Sequence, residues 1–416
     1  MSNIDKTEKR QLFLNFFSLL SLQGTNYILP LITFPYLIQV LGVEYFGLLA
    51  FATAMIMYFN VITDYGFNLS ATREISVHRE NQEKIIEIFS AVMTIKVVLM
   101  IVSFIVLTLI VFSFEKFSSD WEIYFLTFGT VIGQVLFPVW FFQGMERMKY
   151  ISYLNIFSKL LFTAAIFMFV KEQSDYYLVP LFTSIGFIVA GIWSQVLIYK
   201  EFNVRFKLQS TSVLKKYLMD GWHIFVSRVY VNIYTTTNLI LLGLFTNNTV
   251  VGYYAIAEKI VVAIGGVFQP ANQAIYPYLA RKYKENFEIF INFVKKIALV
   301  FLGMSFAFFI FAEYFKDTIV LLVTGSQTTE VSVLLAIFLL RVLTYPFGAL
   351  FSNLLVVMER KKEFMKVMNY TVLLDLLIVP PSIYFYQEIG LVISFIIVSF
   401  VHILLLVYYF KKSIAQ

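Results

Sequence analysis

Residues Ile88 to Ser113 read IFSAVMTIKVVLMIVSFIVLTLIVFS, an unbroken apolar run that carries one charge, Lys96. Wound as an α-helix at ~1.5 Å per residue, the run is longer than the ~30 Å hydrocarbon core of a bilayer. Stretches of the same kind recur on both sides of it, separated by short polar breaks. They predict spans at 11–40, 44–66, 88–113, 121–142, 151–170, 177–199, 220–243, 249–274, 288–312, 330–357, 366–386 and 389–410. The fold class expected is therefore an all-α integral membrane protein with twelve transmembrane helices.

Composition agrees with that reading. Of the 416 residues 59% are hydrophobic and 14% charged, with a mean hydropathy of +0.78, whereas soluble domains run near ~25% charged. So few charges cannot cover a water-facing surface. The net charge of +6 does not point to nucleic acid, because Lys and Arg fall in short clusters between the apolar runs rather than on one domain. There is no cysteine, which excludes disulfides, thiolate metal sites and cysteine nucleophiles. The first apolar run is too long for a signal-peptide core, so it reads as a retained helix.

The cation clusters set the expected orientation. Lys6, Lys9 and Arg10, then Arg147 and Lys149, then Arg360, Lys361 and Lys362 lie on one side, whereas the alternate loops hold only Lys116, Lys171 and Lys316. Loops rich in Lys and Arg stay in the cytoplasm, so both termini are expected there.

The chain also repeats. Met145-Glu146-Arg147 after the fourth span corresponds to Met358-Glu359-Arg360 after the tenth, each following a span that contains a proline, Pro138 or Pro346. Gly47, Ala50 and Ala52 correspond to Gly252, Ala255 and Ala257. Six spans per half make the halves parallel repeats, related by a pseudo-two-fold axis along the membrane normal. The expected organisation is an N-terminal lobe at 1–199, a cytoplasmic linker at 200–219 and a C-terminal lobe at 220–416.

Five cations fall inside spans: Lys96, Lys159, Arg228, Lys259 and Arg341. Each costs about 2.5–3.5 kcal/mol at the centre of a helix, so each needs a cavity, a partner or a route to the interface. The obvious carboxylates within spans are Asp64, Glu258 and Asp375, which leaves a cationic surplus suited to an anionic cargo. Lys96, Arg228, Lys259 and Arg341 are the substrate-binding candidates. Asn26, Tyr230, Asn232 and Tyr234, on polar stripes of the first and seventh spans, are the candidates to line a cleft. Simpler roles stand beside these: Arg228 and Asp375 lie at similar depth and could form a buried pair, Lys96 could reach headgroups or a carbonyl, and Lys159 could snorkel. Asp375 is also a gating or ion-coupling candidate. The prolines Pro30, Pro35, Pro138, Pro270, Pro346, Pro380 and Pro381 are expected to bend their spans. No GxxxxGK[ST], HExxH or GxSxG motif occurs, so no enzyme, cofactor or metal site is expected.

Four stretches resemble the Wzx-type O-antigen flippases, of the polysaccharide transporter family in the multidrug/oligosaccharidyl-lipid/polysaccharide exporter superfamily. They are YLIQVLGVEYFG at 36–47, DYGFNLSATREI at 64–75, FQGMERMKY at 142–150 and DTIVLLVTG at 317–325. The resemblance implies two six-helix lobes in a V and alternating access through a cationic central cleft. The implied cargo is an undecaprenyl-pyrophosphate-linked oligosaccharide, moved from the cytoplasmic to the periplasmic leaflet of the bacterial inner membrane. It further implies proton or sodium coupling, contact with membrane lipid, and polysaccharide assembly partners such as a polymerase or a chain-length regulator. Asp64 and Arg73 lie in a matched stretch at the expected cytoplasmic mouth and are implied in gating. The intramembrane cations lie outside these stretches and rest on the charge argument alone. The rival on the same fold is an ion-coupled multidrug exporter, which would want an acidic or apolar cleft for organic cations. A polysaccharide polymerase or lipid-using glycosyltransferase would want large outer loops or clustered carboxylates, and a passive scaffold would want no cleft.

Overall fold

A computed structural model describes the backbone of residues 6–415 and the side chains of 29–414, apart from 231, 233–235, 274 and 277. The described residues are almost wholly helical and hold no strand. In hydrocarbon every backbone N–H and C=O has to be satisfied within the chain, and a helix does this segment by segment. Three helices start at asparagines whose side chains accept from the N–H three residues on: Asn81 from Lys84, Asn247 from Val250 and Asn286 from Ile289, each at 3.0 Å. Within the apolar runs, hydroxyls bond back to carbonyls of their own helix, as in Thr63 to Phe59 and Thr371 to Val367.

Nine stretches of the described residues are long and apolar enough to cross a membrane. Two of them, Leu29–Val77 and Lys361–Ile414, run to 49 and 54 residues, more than twice the ~20 that one crossing takes. Each is interrupted where the sequence predicts a turn: Gly42 has φ 77° and ψ 171°, and Gln387 has φ 50° and ψ −130°. Three expected spans are not single helices. Span 121–142 is Trp121–Leu136 and Val139–Gly144, with Pro138 between. Span 249–274 divides at Val267. Span 330–357 passes through a 3₁₀ turn, Leu339–Leu343, just before Pro346. Proline has no N–H for the helix ladder, and each of these breaks lies within a few residues of one. By contrast, Pro380 and Pro381 sit inside the helix Lys361–Ala415, whose break comes later, at Gln387.

The chain forms two compact units: residues 1–41 with 52–232, and residues 42–51 with 233–416. In the first, the core gathers around Trp140, Phe141 and Phe142, packed with Ile75, Ile88 and Phe89. In the second it gathers around Phe268, Phe290, Phe301, Leu350 and Leu354. Of the segment expected to link the lobes, residues 200–202 complete the helix Leu178–Phe202, and Thr211 onward belongs to the helix Thr211–Phe245.

The repeat is visible in the backbone. Glu146 and Glu359 both take the left-handed conformation, at φ 57° and φ 59°. The N–H of Arg147 bonds Phe142 O and that of Arg360 bonds Leu355 O, each at 2.8 Å; those of Glu146 and Glu359 bond Gln143 O and Val356 O, each at 3.0 Å. Both copies of Met-Glu-Arg thus close their helix with the same Schellman turn. In the second unit the two copies of the small-residue motif touch. A Cβ on Gly47 would stand 1.9 Å from Asn248 O, and one on Gly252 would stand 2.2 Å from Val43 O. The backbones approach as closely as only glycine permits.

Candidate functional site

In the first unit, Asp64 ends the helix Lys6–Asp64, and Tyr65 and Gly66, at φ 48° and φ 78°, turn the chain into Phe67–Val77. The turn is held by the helix Thr211–Phe245. The Tyr65 ring stacks on Phe225 at 4.7 Å, and a Cβ on Gly66 would meet Ile224 Cγ2 at 2.5 Å. This docking brings Arg228 into electrostatic reach of Asp64, whose carboxylate also takes a hydrogen bond from Asn68. Lys96, on Gln82–Ser113, is 4% exposed, and its Nζ lies 3.9 Å from Asp64 Oδ1. Asn232, one turn beyond Arg228, is buried and donates to the Arg228 carbonyl at 3.3 Å. Lys96 therefore turns inward to a carboxylate rather than outward to headgroups. Arg228 and Tyr230 are exposed on the unit's surface, Arg73 is exposed on Phe67–Val77, and Lys159 is half-buried on Met148–Phe169.

In the second unit, Arg341 sits in the 3₁₀ turn Leu339–Leu343 and is ringed by aromatic faces: Phe395 at 4.4 Å, Tyr345 at 5.6 Å and Phe338 at 6.0 Å. Such faces offset part of the desolvation of a guanidinium. Glu258 is within electrostatic reach of both Arg341 and Lys259, and it accepts from Tyr254 Oη at 3.5 Å. Lys259 is itself exposed. Asp375 is 2% exposed and accepts from Asn238 Nδ2 at 3.4 Å. His402 Nδ1 meets Thr371 Oγ1 at 2.9 Å.

The predicted site residues thus fall into two clusters. Lys96, Arg228, Asn232 and Asp64 belong to the first unit; Lys259, Arg341 and Asp375 belong to the second, with Glu258 between the two cations in electrostatic terms. Asn26 and Tyr234 lie outside the described side chains. Tyr254, Tyr345, Thr371 and His402 were not singled out from sequence. For His402 a signal existed, since it is one of three histidines and falls inside an apolar span. The charge divides unevenly. Of the groups expected at depth, the first unit holds three cations, Lys96, Lys159 and Arg228, against the single carboxylate Asp64. The second holds Lys259 and Arg341 against Glu258 and Asp375.

Comparison with known proteins extends this picture. Residues 12–283 match the family described as "Polysaccharide biosynthesis protein". A protein of Escherichia coli (strain K12) named "Putative O-antigen transporter" is 31% identical over 398 residues, which is 93% of this chain and 94% of that protein. A protein of the same name from Shigella dysenteriae is 26% identical over 413 residues, 95% of this chain and 98% of its own. Among solved structures, an inward-facing multidrug resistance MATE family transporter of the MOP superfamily superposes with a TM-score of 0.73 at 14% identity, over 93% of this chain and 96% of that one. Lipid II flippase MurJ superposes with a TM-score of 0.72 at 14% identity, over 95% and 87%. At that identity the likeness concerns the fold. Taken with the apolar helices, these matches make the chain a member of the polysaccharide biosynthesis protein family, a multi-pass membrane protein with the fold of the MOP superfamily transporters.

Proposed function

We propose that the chain is a flippase that carries undecaprenyl-pyrophosphate-linked O-antigen or polysaccharide repeat units from the cytoplasmic to the periplasmic leaflet of the bacterial inner membrane. Alternating access, driven by a proton or sodium gradient, moves the cargo. Twelve spans with both termini in the cytoplasm carry the passage. Transport needs no catalytic group: the barrier is the diphosphate, which hydrocarbon excludes, and a wet cationic lining removes most of that penalty. Lys96 and Arg228 meet the diphosphate, and Lys259 and Arg341 are further contacts for the cargo along the route. Asp64, Arg73 and Asp375 serve gating or coupling.

The observation that carries this reading is the surplus of cations around Asp64. Lys96 and Arg228 share one carboxylate, so cationic groups outnumber acidic ones there. An exporter of organic cations gains nothing from such a cluster. The test is complementation of a strain lacking the gene. Lys96→Ala and Arg228→Ala are expected to cut surface polysaccharide at least fivefold at unchanged protein levels, with Arg228→Lys recovering part of it. Full polysaccharide from both alanine variants removes the two cations from the mechanism. A deletion strain that keeps its polysaccharide but becomes drug-sensitive supports the multidrug reading instead.

A further inference from the structure

The second unit holds a pocket of about 240 Å³ beside Arg341. The 3₁₀ turn and the first turns of Tyr345–Val357 supply Arg341, Thr344, Tyr345 and Gly348, and the helix Lys361–Ala415 supplies Ser399 and His402. Thr344 with Gly348, and Ser399 with His402, are spaced to share one helix face. Among the described residues no carboxylate lines the pocket.

Its hydrogen-bonding character follows from the partners each group already has. Thr344 Oγ1 donates to the Arg341 carbonyl, and Ser399 Oγ donates to the Phe395 carbonyl, each at 2.8 Å. A hydroxyl has one proton and two lone pairs, so both residues offer lone pairs to a ligand. Thr371 likewise gives its proton to the Val367 carbonyl at 2.8 Å. With that bond made, His402 Nδ1 is the donor in its 2.9 Å contact with the threonine oxygen. Arg341 supplies donors, and its charge is offset by Glu258 within electrostatic reach. The wall thus combines guanidinium donors with hydroxyl acceptors in a unit whose deep cations and carboxylates balance.

A fully ionised diphosphate offers only acceptors, and Thr344 and Ser399 would have to give up their bonds to the Arg341 and Phe395 carbonyls to meet it. A sugar ring matches, since each of its hydroxyls both donates and accepts. The volume lies below the ~300–1,000 Å³ of pockets for drug-sized ligands and suits a single ring. Gly348 opens the space: a Cβ there meets nothing within 4 Å. Gly265 packs against Tyr345, since a Cβ on it would stand 2.6 Å from that ring.

We propose that this pocket is a subsite for one uncharged sugar ring, with Arg341 donating to its hydroxyls and Thr344 and Ser399 accepting from them. The assignment rests on the flippase reading for its biological meaning, but its test does not use transport. The full-length protein is placed in lipid nanodiscs, free of glycoside detergents, and saturation-transfer NMR is recorded with a panel of neutral hexoses, 6-deoxyhexoses and N-acetylhexosamines at millimolar concentration. At least one sugar is expected to receive saturation, falling fivefold or more in Gly348→Leu, which fills the pocket while raising helix propensity. The same fall is expected in Thr344→Val with Ser399→Ala, which keeps the shape and removes the acceptors. Inorganic phosphate and pyrophosphate are expected not to compete. Absence of saturation on every sugar, equal saturation in the acceptor-free variant, or displacement by pyrophosphate each overturns the subsite. Failure of the flippase reading would appear separately, as unchanged surface polysaccharide in the deletion strain.

Discussion

Lys96 shows what a buried charge needs. Its ammonium is 4% exposed and reaches Asp64 at 3.9 Å, a separation at which Coulomb attraction survives but a strong hydrogen bond does not. Removing one partner of such a pair leaves the other buried and uncompensated, whereas removing both leaves only apolar volume. Asp64→Asn is therefore expected to cost about 1–3 kcal/mol of stability, below the ~3–5 kcal/mol of a fully buried pair because Asp64 is partly exposed. Lys96→Met with Asp64→Asn is expected to cost less than Asp64→Asn alone, by thermal unfolding in nanodiscs. Additive losses in that double-mutant cycle would mean that the two groups act independently. The sequence marked both residues as exceptional, because an ionised group inside an apolar run is conspicuous. It could not pair them: Asp64, Lys96 and Arg228 lie on three different helices, and hydropathy holds no record of which helix faces which.

At the scale of elements, the duplicated motifs proved to be structural devices. Met145-Glu146-Arg147 and Met358-Glu359-Arg360 are one kind of helix stop used twice. Gly47 and Gly252 are two sides of one close helix crossing, where a Cβ would run into backbone carbonyls 1.9 Å and 2.2 Å away. A carbonyl cannot rotate aside as a side chain can, so the helices would have to separate. Gly47→Ala and Gly252→Ala are each expected to destabilise by about 1–3 kcal/mol, as overpacking does, and to lower the amount of folded protein recovered in detergent. Gly348→Ala, which meets open space, is expected to leave that yield unchanged. The repeat was legible because both halves spell it. Its purpose was not, because a glycine in a sequence looks the same whether it bends, packs or merely leaves room.

Across the whole molecule, hydropathy and cation placement carry the topology. The protein has no cysteine of its own, so single introduced thiols report sidedness without background. Ser119→Cys is expected to react with an impermeant maleimide added outside spheroplasts, and Ser212→Cys only after permeabilisation. Both side chains are exposed, and labelling of both from one side would break the proposed orientation. The sequence alone determined that the chain is helical and lives in lipid, because long apolar runs with few charges leave the backbone no other way to satisfy its polar groups there. It also determined where the main turns fall, at Gly42 and near Gln387, since polar breaks end apolar runs. Only the tertiary structure decided that Lys96 and Arg228 share Asp64, and that Arg341 stands among aromatic rings beside a pocket lined by Ser399 and His402. Those pairings depend on side-chain packing between helices far apart in the chain, and a one-dimensional pattern of polarity does not encode it.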